Sequence, residues 1–389
     1  MISIYSLSFF GSYFLPPRKI DYSFEATIYF LLLLFSFLMP ALRFDSGKVN
    51  RIRKVNIKLF NFISSIFIFM GIVTYMYFIP VVIGIFFSGE ALVSVRGDVV
   101  GGSVLYETGL LYYAITLFCQ FFPIILVFYF YSSVATGNSK LFNGLLLFSS
   151  TGYILNVLSS VGRDGFVLWT MSYFFAFLLF KNFMNSEQRI KYAKLIKYII
   201  FLFALIFIPI TVSRFLSDGD TSRLLFSVLS YFSQQLGNFN EIYNSKIIFQ
   251  SNFAAIFPIF SIFSDVPKHQ LSFLDDYYLF IYTYNIDPNV FRTFLGDFYM
   301  KFTPAFLLII GLLFGALSFI FLAKNKTISL SRILVITLVS QIPLHGIFYY
   351  KLAYTVSNIY MILVVLLALL LAFVKSHNFN KFLVINNHD

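Results

Sequence analysis

Long apolar runs separated by short polar stretches recur from one end of the chain to the other. A helix needs about 20 apolar residues to cross about 30 Å of hydrocarbon, and runs of that order lie at 24–42, 60–87, 108–135, 141–162, 165–180, 198–213, 302–323, 333–350 and 352–374, with a weaker one at 2–15. The pattern predicts an all-α fold, a polytopic integral membrane bundle of about ten transmembrane helices, in a range of roughly nine to twelve. The whole of 1–389 reads as one membrane domain. Its largest polar interruption is 214–301, a loop long enough to hold function. Within that loop Leu224–Leu236 and Ile247–Phe263 are apolar enough to lie on the membrane or dip into it as amphipathic or re-entrant helices. Met1–Pro17 has no basic n-region and no small-residue cleavage site, so it reads as retained.

Charge gives these spans an orientation. Arg43–Lys58 carries six basic residues against Asp45 alone, and Lys181–Lys197 carries five against Glu187 alone, which marks both as cytoplasmic by the positive-inside rule. Alternation from there puts the C-terminus in the cytoplasm and the 214–301 loop outside. The inner face then holds seventeen basic and three acidic residues, and the outer face eleven basic and fourteen acidic. The net charge of +11 is therefore a topology signal and not a nucleic-acid footprint.

Two of the spans are short. Leu141–Phe180 is uncharged except for Arg163-Asp164, so it must turn at that pair. The arm Gly165–Phe180 is sixteen residues, about 24 Å of helix, and Tyr198–Ser213 is again sixteen and ends in Arg214. Both arms are expected to bring a guanidinium to the outer interface. Charge near hydrocarbon costs about 2.5–3.5 kcal/mol at mid-membrane and usually faces a protein-lined cavity. An arginine fork there suits a phosphate. The alternative is that Arg163 pairs with Asp164 while Arg214 snorkels to lipid phosphates.

Other outer positions read more simply as loop charges: Arg96 in Val95-Arg96-Gly97-Asp98, Arg223, and Arg292 with Asp297 before a span. Asp218-Gly219-Asp220 has the spacing by which some glycosyltransferases hold a metal, but it is also ordinary turn chemistry. His345, in Ile342-Pro343-Leu344-His345-Gly346, lies inside an apolar run near Lys351. It fits either a general base or a helix–helix hydrogen bond.

Composition narrows the class further. Hydrophobic residues make up 59% of the 389 positions and charged ones only 12%, a balance no water-soluble fold could bury. The single Cys119 leaves neither a disulfide framework nor a cysteine metal site to build, and four histidines, two of them in the last thirteen residues, argue against a His-based metal centre. No H-E-x-x-H, P-loop, G-x-S-x-G or dinucleotide fingerprint is present.

Four features together resemble the Wzy-type polymerases, the bacterial membrane proteins that join O-antigen or capsular repeat units. They are the size and span count, Pro16-Pro17-Arg18-Lys19-Ile20-Asp21-Tyr22-Ser23 before the first long span, the Val161-Gly162-Arg163-Asp164-Gly165 turn, and the large outer loop followed by Leu295-Gly296-Asp297-Phe298-Tyr299. The resemblance implies a glycosyl transfer on the outer face of the cytoplasmic (inner) membrane, needing no metal, cofactor or nucleotide sugar. The growing glycan would pass from undecaprenyl pyrophosphate to the next lipid-linked oligosaccharide repeat unit. Membrane lipids, a flippase and a chain-length regulator are the implied partners, with no nucleic acid. Such chemistry asks for cations on the departing pyrophosphate, expected from Arg163 and Arg214 with Arg292, Arg96 and Arg223 behind them, and for a base, expected among Asp164, Glu241 and His345. Tyrosines and asparagines of the outer loop, among them Asn238, Asn240 and Tyr243, would offer faces and amides to sugars. Two alternatives stay open: an O-antigen ligase, for which His269 is the available loop histidine, and a non-enzymatic lipid-linked oligosaccharide flippase or transporter.

Overall fold

The apolar runs fold as helices. A computed structural model describes residues 5–6, 9–11, 22–44, 49, 51–87, 109–162, 164–216, 234–245, 256–259, 292–319, 327–374 and 382–384, with backbone alone for 86, 202–204, 206–216 and 382–384. In chain order the helices are α1 (Phe24–Arg43), α2 (Ile57–Phe87), α3 (Leu110–Gln120), α4 (Phe122–Tyr131), α5 (Lys140–Ser150), α6 (Gly152–Leu158), α7 (Asp164–Phe180) and α8 (Ser186–Leu216). They continue with α9 (234–244), α10 (Thr293–Lys301), α11 (Pro304–Leu317), α12 (Leu330–His345) and α13 (Thr355–Phe373). Among the described residues five helical stretches are long and apolar enough to cross a membrane: α1, α2, α5 with α6, α7 with the turn that extends it, and α13. The bent pair α3–α4 makes a sixth if it is one span, while α11 and α12 are apolar but shorter. Large apolar side chains face outward along these helices, with Phe62 65%, Phe69 63% and Met76 74% exposed on α2 alone. Apolar surface of that extent calls for a hydrocarbon surround.

The chain divides into two compact units. The first comprises Met1–Phe44, Ile208–Leu322 and Val339–Asn358. Its base is α1, started by Ser23, whose hydroxyl accepts from the Ala26 N–H at 3.3 Å. The helix buries a stripe at Ala26, Phe30, Leu33 and Phe37. Gly311 and Gly315 of α11 let the two helices approach closely: a Cβ at Gly311 would come within 3.0 Å of Leu33 Cδ2, and one at Gly315 within 3.9 Å of Ser36 Cβ. Small residues four apart are the usual means of helix contact where hydrophobic burial gives no drive.

The second unit comprises Asp45–Phe207, Ala323–Leu338 and Ile359–Asp389. At its centre is α4, buried on every side from Phe122 to Tyr131, as an all-round apolar helix must be. Pro123 at the start of α4 cannot donate to the preceding turn, and the chain bends by 51° between α3 and α4. Against α4 lies α7, tied to α5 by the Trp169 Nε1–H donating to Ser150 Oγ at 2.9 Å. The predicted turn between the two arms is present. Val161 N–H donates to Leu158 O and Gly162 N–H to Val157 O, each at 2.9 Å, the paired bonds of a Schellman cap. The left-handed position of that cap is held by Val161 at φ +52° where glycine is usual. Its side chain is buried against Ile85 and Val81, which offsets part of a strain of about 1–3 kcal/mol.

One expectation is corrected. Tyr198–Ser213 is not a short span behind a loop: α8 runs 31 residues, about 46 Å, and takes in most of the basic segment. Asn185 starts it with a reciprocal capping box, its Oδ1 accepting from Gln188 N at 2.8 Å while Gln188 Oε1 accepts from Asn185 N at 3.1 Å. Lysine and arginine are good helix formers, so a helix can begin well before its apolar stretch does. The fold is all-α, as expected, but for one small sheet. Strands β1 (Arg51–Arg53), β2 (Thr327–Ser329) and β3 (Phe382–Val384) form one sheet in the order β2-β1-β3, parallel on one side and antiparallel on the other. Three-residue strands are too short to leave an alternating signature in sequence.

The sheet constrains topology. Its strands come from three separate segments, of which sequence placed the first in the cytoplasm by charge and the last there by alternation, and strands can pair only on the same side of a membrane. Any crossings between β1 and β2, and between β2 and β3, must therefore be even in number, as the six and the two spans expected from sequence would be. Cysteines introduced at Lys54 and Arg332 are expected to react with a membrane-impermeant maleimide from the same side of sealed vesicles, with buried Cys119 giving no background. Labelling of the two from opposite sides would break this topology. Gly311→Leu is expected to lower thermal stability in detergent, by about 1–3 kcal/mol as overpacking costs, while Gly84→Leu, where a side chain meets open space, leaves it unchanged.

Candidate functional site

In the first unit three elements remote in sequence meet around the start of α10. Arg292 caps that helix and is 2% exposed, with Nε 3.0 Å from Asp297 Oδ1. The Nε–H is not aimed at that oxygen, so the contact is one of charge more than a directed hydrogen bond. The other carboxylate oxygen, Oδ2, accepts from the Tyr350 N–H at 2.6 Å. Two further main-chain bonds fasten the same segments, Thr293 N to Phe348 O and Phe294 N to Gly346 O, both 2.8 Å. Glycine is required at 346, because a Cβ there would meet Phe294 Cβ at 2.7 Å. Thr293, fully buried, stands at φ +62°, a conformation that costs a β-branched residue about 1–3 kcal/mol.

Helix α9 packs on α10 at Gly296, where a Cβ would lie 3.3 Å from both Ile242 Cδ1 and Arg292 Cβ. It buries Gln235, Asn238 and Asn240, an unusual load of amides for one short helix. Asn240 Oδ1 accepts from Ser23 N at 2.8 Å and its Nδ2 donates to Leu236 O at 3.1 Å. The start of α1 is thereby fixed to α9. An aromatic cluster joins them: Tyr29, Tyr243 and Tyr299 have ring centroids 5.3 to 6.0 Å apart, with Phe239 beside them. Burial, and secondarily the Tyr243 phenol, pushes the Tyr299 hydroxyl up to about 12, so it remains a proton donor at neutral pH. Burial pushes the Lys351 ammonium, in the turn after Tyr350, down to about 7. The Tyr350 and Ser340 hydroxyls are buried with no hydrogen-bond partner among the described residues, at about 1–3 kcal/mol each.

Of the residues singled out from sequence, this unit gathers Arg292, the helix carrying half-buried Glu241, and His345, 4% exposed at the end of α12. Arg292 is not the solvated loop charge that its place before a span suggested, since its ion pair and helix cap take it inside. Asp164 lies in the second unit as the first residue of α7, where a carboxylate complements the helix dipole. Arg214 is within α8, with its side chain outside what is described. Arg163, Arg96, Arg223, the Asp218-Gly219-Asp220 motif and His269 lie outside the described residues. Among the described residues no group of three or more His, Cys, Asp or Glu side chains is arranged to hold a metal. Sequence reasoning missed Thr293, Tyr350, Tyr29 and Tyr299 as parts of this cluster. The one available signal was the pairing of Arg292 with Asp297 beside a glycine.

Fold and cluster define a mainly helical protein of membrane type with a buried ionic site at a helix start. A scan of protein-family models, a search of curated proteins and a search of solved structures each found no match.

An uncompensated charge left in such a site costs about 3–5 kcal/mol, whereas removing both partners costs far less. Arg292→Met and Asp297→Leu are each expected to lower thermal stability markedly, and the double variant to recover part of the loss. Asp297→Asn, which keeps an acceptor for Tyr350 N–H, should fall between wild type and Asp297→Leu. Strict additivity in the double variant would mean that the two side chains are not coupled.

Proposed function

We propose that this chain is a polymerase of lipid-linked oligosaccharide repeat units, resembling the Wzy type, in the bacterial cytoplasmic membrane with its C-terminus inside. The observation that carries the reading is the buried Arg292–Asp297 pair, set where the end of the 214–301 loop meets the His345–Lys351 turn in an otherwise apolar helical protein. Ionic groups are kept in such surroundings when they bind or transform something charged.

In the proposed reaction the acceptor hydroxyl oxygen of the incoming repeat attacks the anomeric carbon of the growing glycan. The anomeric C–O bond to pyrophosphate breaks, and its electron pair leaves with undecaprenyl pyrophosphate. Arg163 and Arg214, with Arg292 and then Arg96 and Arg223, are assigned to the developing phosphate charge. The hydroxyl proton passes to a base among Glu241, His345 and Asp164, to which the lowered Lys351 is added. The tyrosine cluster and the amides of α9 supply the flat apolar faces and hydrogen-bonding groups that sugars need.

The test is product chain length in a host deleted for its own polymerase. Wild-type protein is expected to restore a ladder of lipid-linked repeats on a gel. Arg163→Ala, Arg214→Ala and Arg292→Lys are expected to collapse it to a single repeat, at protein levels shown equal by immunoblot. A single repeat with wild type, transferred to lipid A core, would favour the ligase reading. Repeats left at the inner face when the gene is removed would favour the flippase.

A further inference from the structure

The basic start of α8 carries a surface that the proposed reaction does not use. Glu187, Ile190, Lys191, Lys194, Leu195 and Tyr198 line an open groove of about 560 Å³. Their spacing of three and four puts all six on one stripe of the helix. The other faces of this stretch are engaged. Tyr192 is buried, with its ring 5.8 Å from Tyr129 and 5.4 Å from Phe130. Gln188 Nε2 donates to Ser133 O at 3.3 Å, and Arg189 Nε donates to Lys181 O and Met184 O at 3.0 and 3.1 Å. These contacts fix the rotation of α8 and leave the stripe outward, Ile190 57% and Tyr198 68% exposed.

We propose that this stripe binds an anionic phospholipid, the two lysines taking its headgroup phosphate and Leu195 and Tyr198 its upper acyl chain. Three observations select that occupant. Lys191 and Lys194 stand one turn apart and face the same groove, with Glu187 as the one acidic residue lining it. Tyrosine at the boundary between a charged and an apolar stretch sits at headgroup depth. The helix then continues as exposed hydrocarbon-facing surface, Ile200 51%, Phe201 64% and Leu205 56% exposed, so a ligand held here has cationic contacts at one end and apolar contacts at the other. A basic residue near a charged bilayer surface contributes about fivefold in affinity.

The full chain, purified in detergent and stripped of lipid, is titrated with phosphatidylglycerol or phosphatidylcholine while thermal unfolding is followed. Wild type is expected to be stabilised by the anionic lipid well beyond the zwitterionic one, with the difference shrinking in about 0.5 M salt. Lys191→Gln/Lys194→Gln should bind phosphatidylglycerol about 25-fold more weakly, yet melt like wild type in phosphatidylcholine, and Lys191→Arg/Lys194→Arg should restore binding. Equal stabilisation by the two lipids, an unchanged glutamine variant, or a full response to inorganic phosphate alone would each overturn the proposal.

Discussion

Side chains such as Phe62 and Met76 on α2, or Leu366 and Leu370 on α13, face outward with no polar face beside them, and everything else in the molecule follows from that exposure. In hydrocarbon each backbone N–H and C=O must be satisfied within its own segment, so these stretches have the helix as their available form. Helices already surrounded by apolar material gain little from burying more of it against one another. They associate by close contact instead. Gly311 and Gly315 against α1 in the first unit, and Gly71 and Gly152 against Ser149 and Thr74 in the second, are where that contact is made.

The same medium explains why polar groups are few and gathered. An ion pair such as Arg292–Asp297 is poor at adding stability, because desolvation absorbs most of the attraction. Its neighbourhood holds further costs: Thr293 in the left-handed region, the partnerless buried hydroxyls of Tyr350 and Ser340 among the described residues, and three amides buried on one helix. Val161 provides a second strained position, two residues before Arg163. Thr293 thus stands directly after Arg292, which sequence had singled out.

Spans were legible because hydropathy is a local property: α1, α2, α7 and α13 begin and end within a few residues of their apolar runs. The turn that ends at Gly162 was legible for the same reason, since a charged pair follows it in a long uncharged stretch. The start of α8 was readable in principle from Asn185 and Gln188, but a hydropathy reading stops at the last lysine and passes over the capping box. The sheet left no trace, since three residues cannot show a period. Arg292 was recognised as a candidate and misjudged in its surroundings, because burial depends on what packs over a residue.

Sequence by itself determined the mainly helical, membrane-type class of this protein, since apolar length acts residue by residue wherever the chain goes. Tertiary structure alone decided that Arg292 is buried, that Tyr29, Tyr243 and Tyr299 share one cluster, and that β1, β2 and β3 pair. Each of those outcomes is a meeting of segments far apart in the chain, and only packing specifies which segments meet.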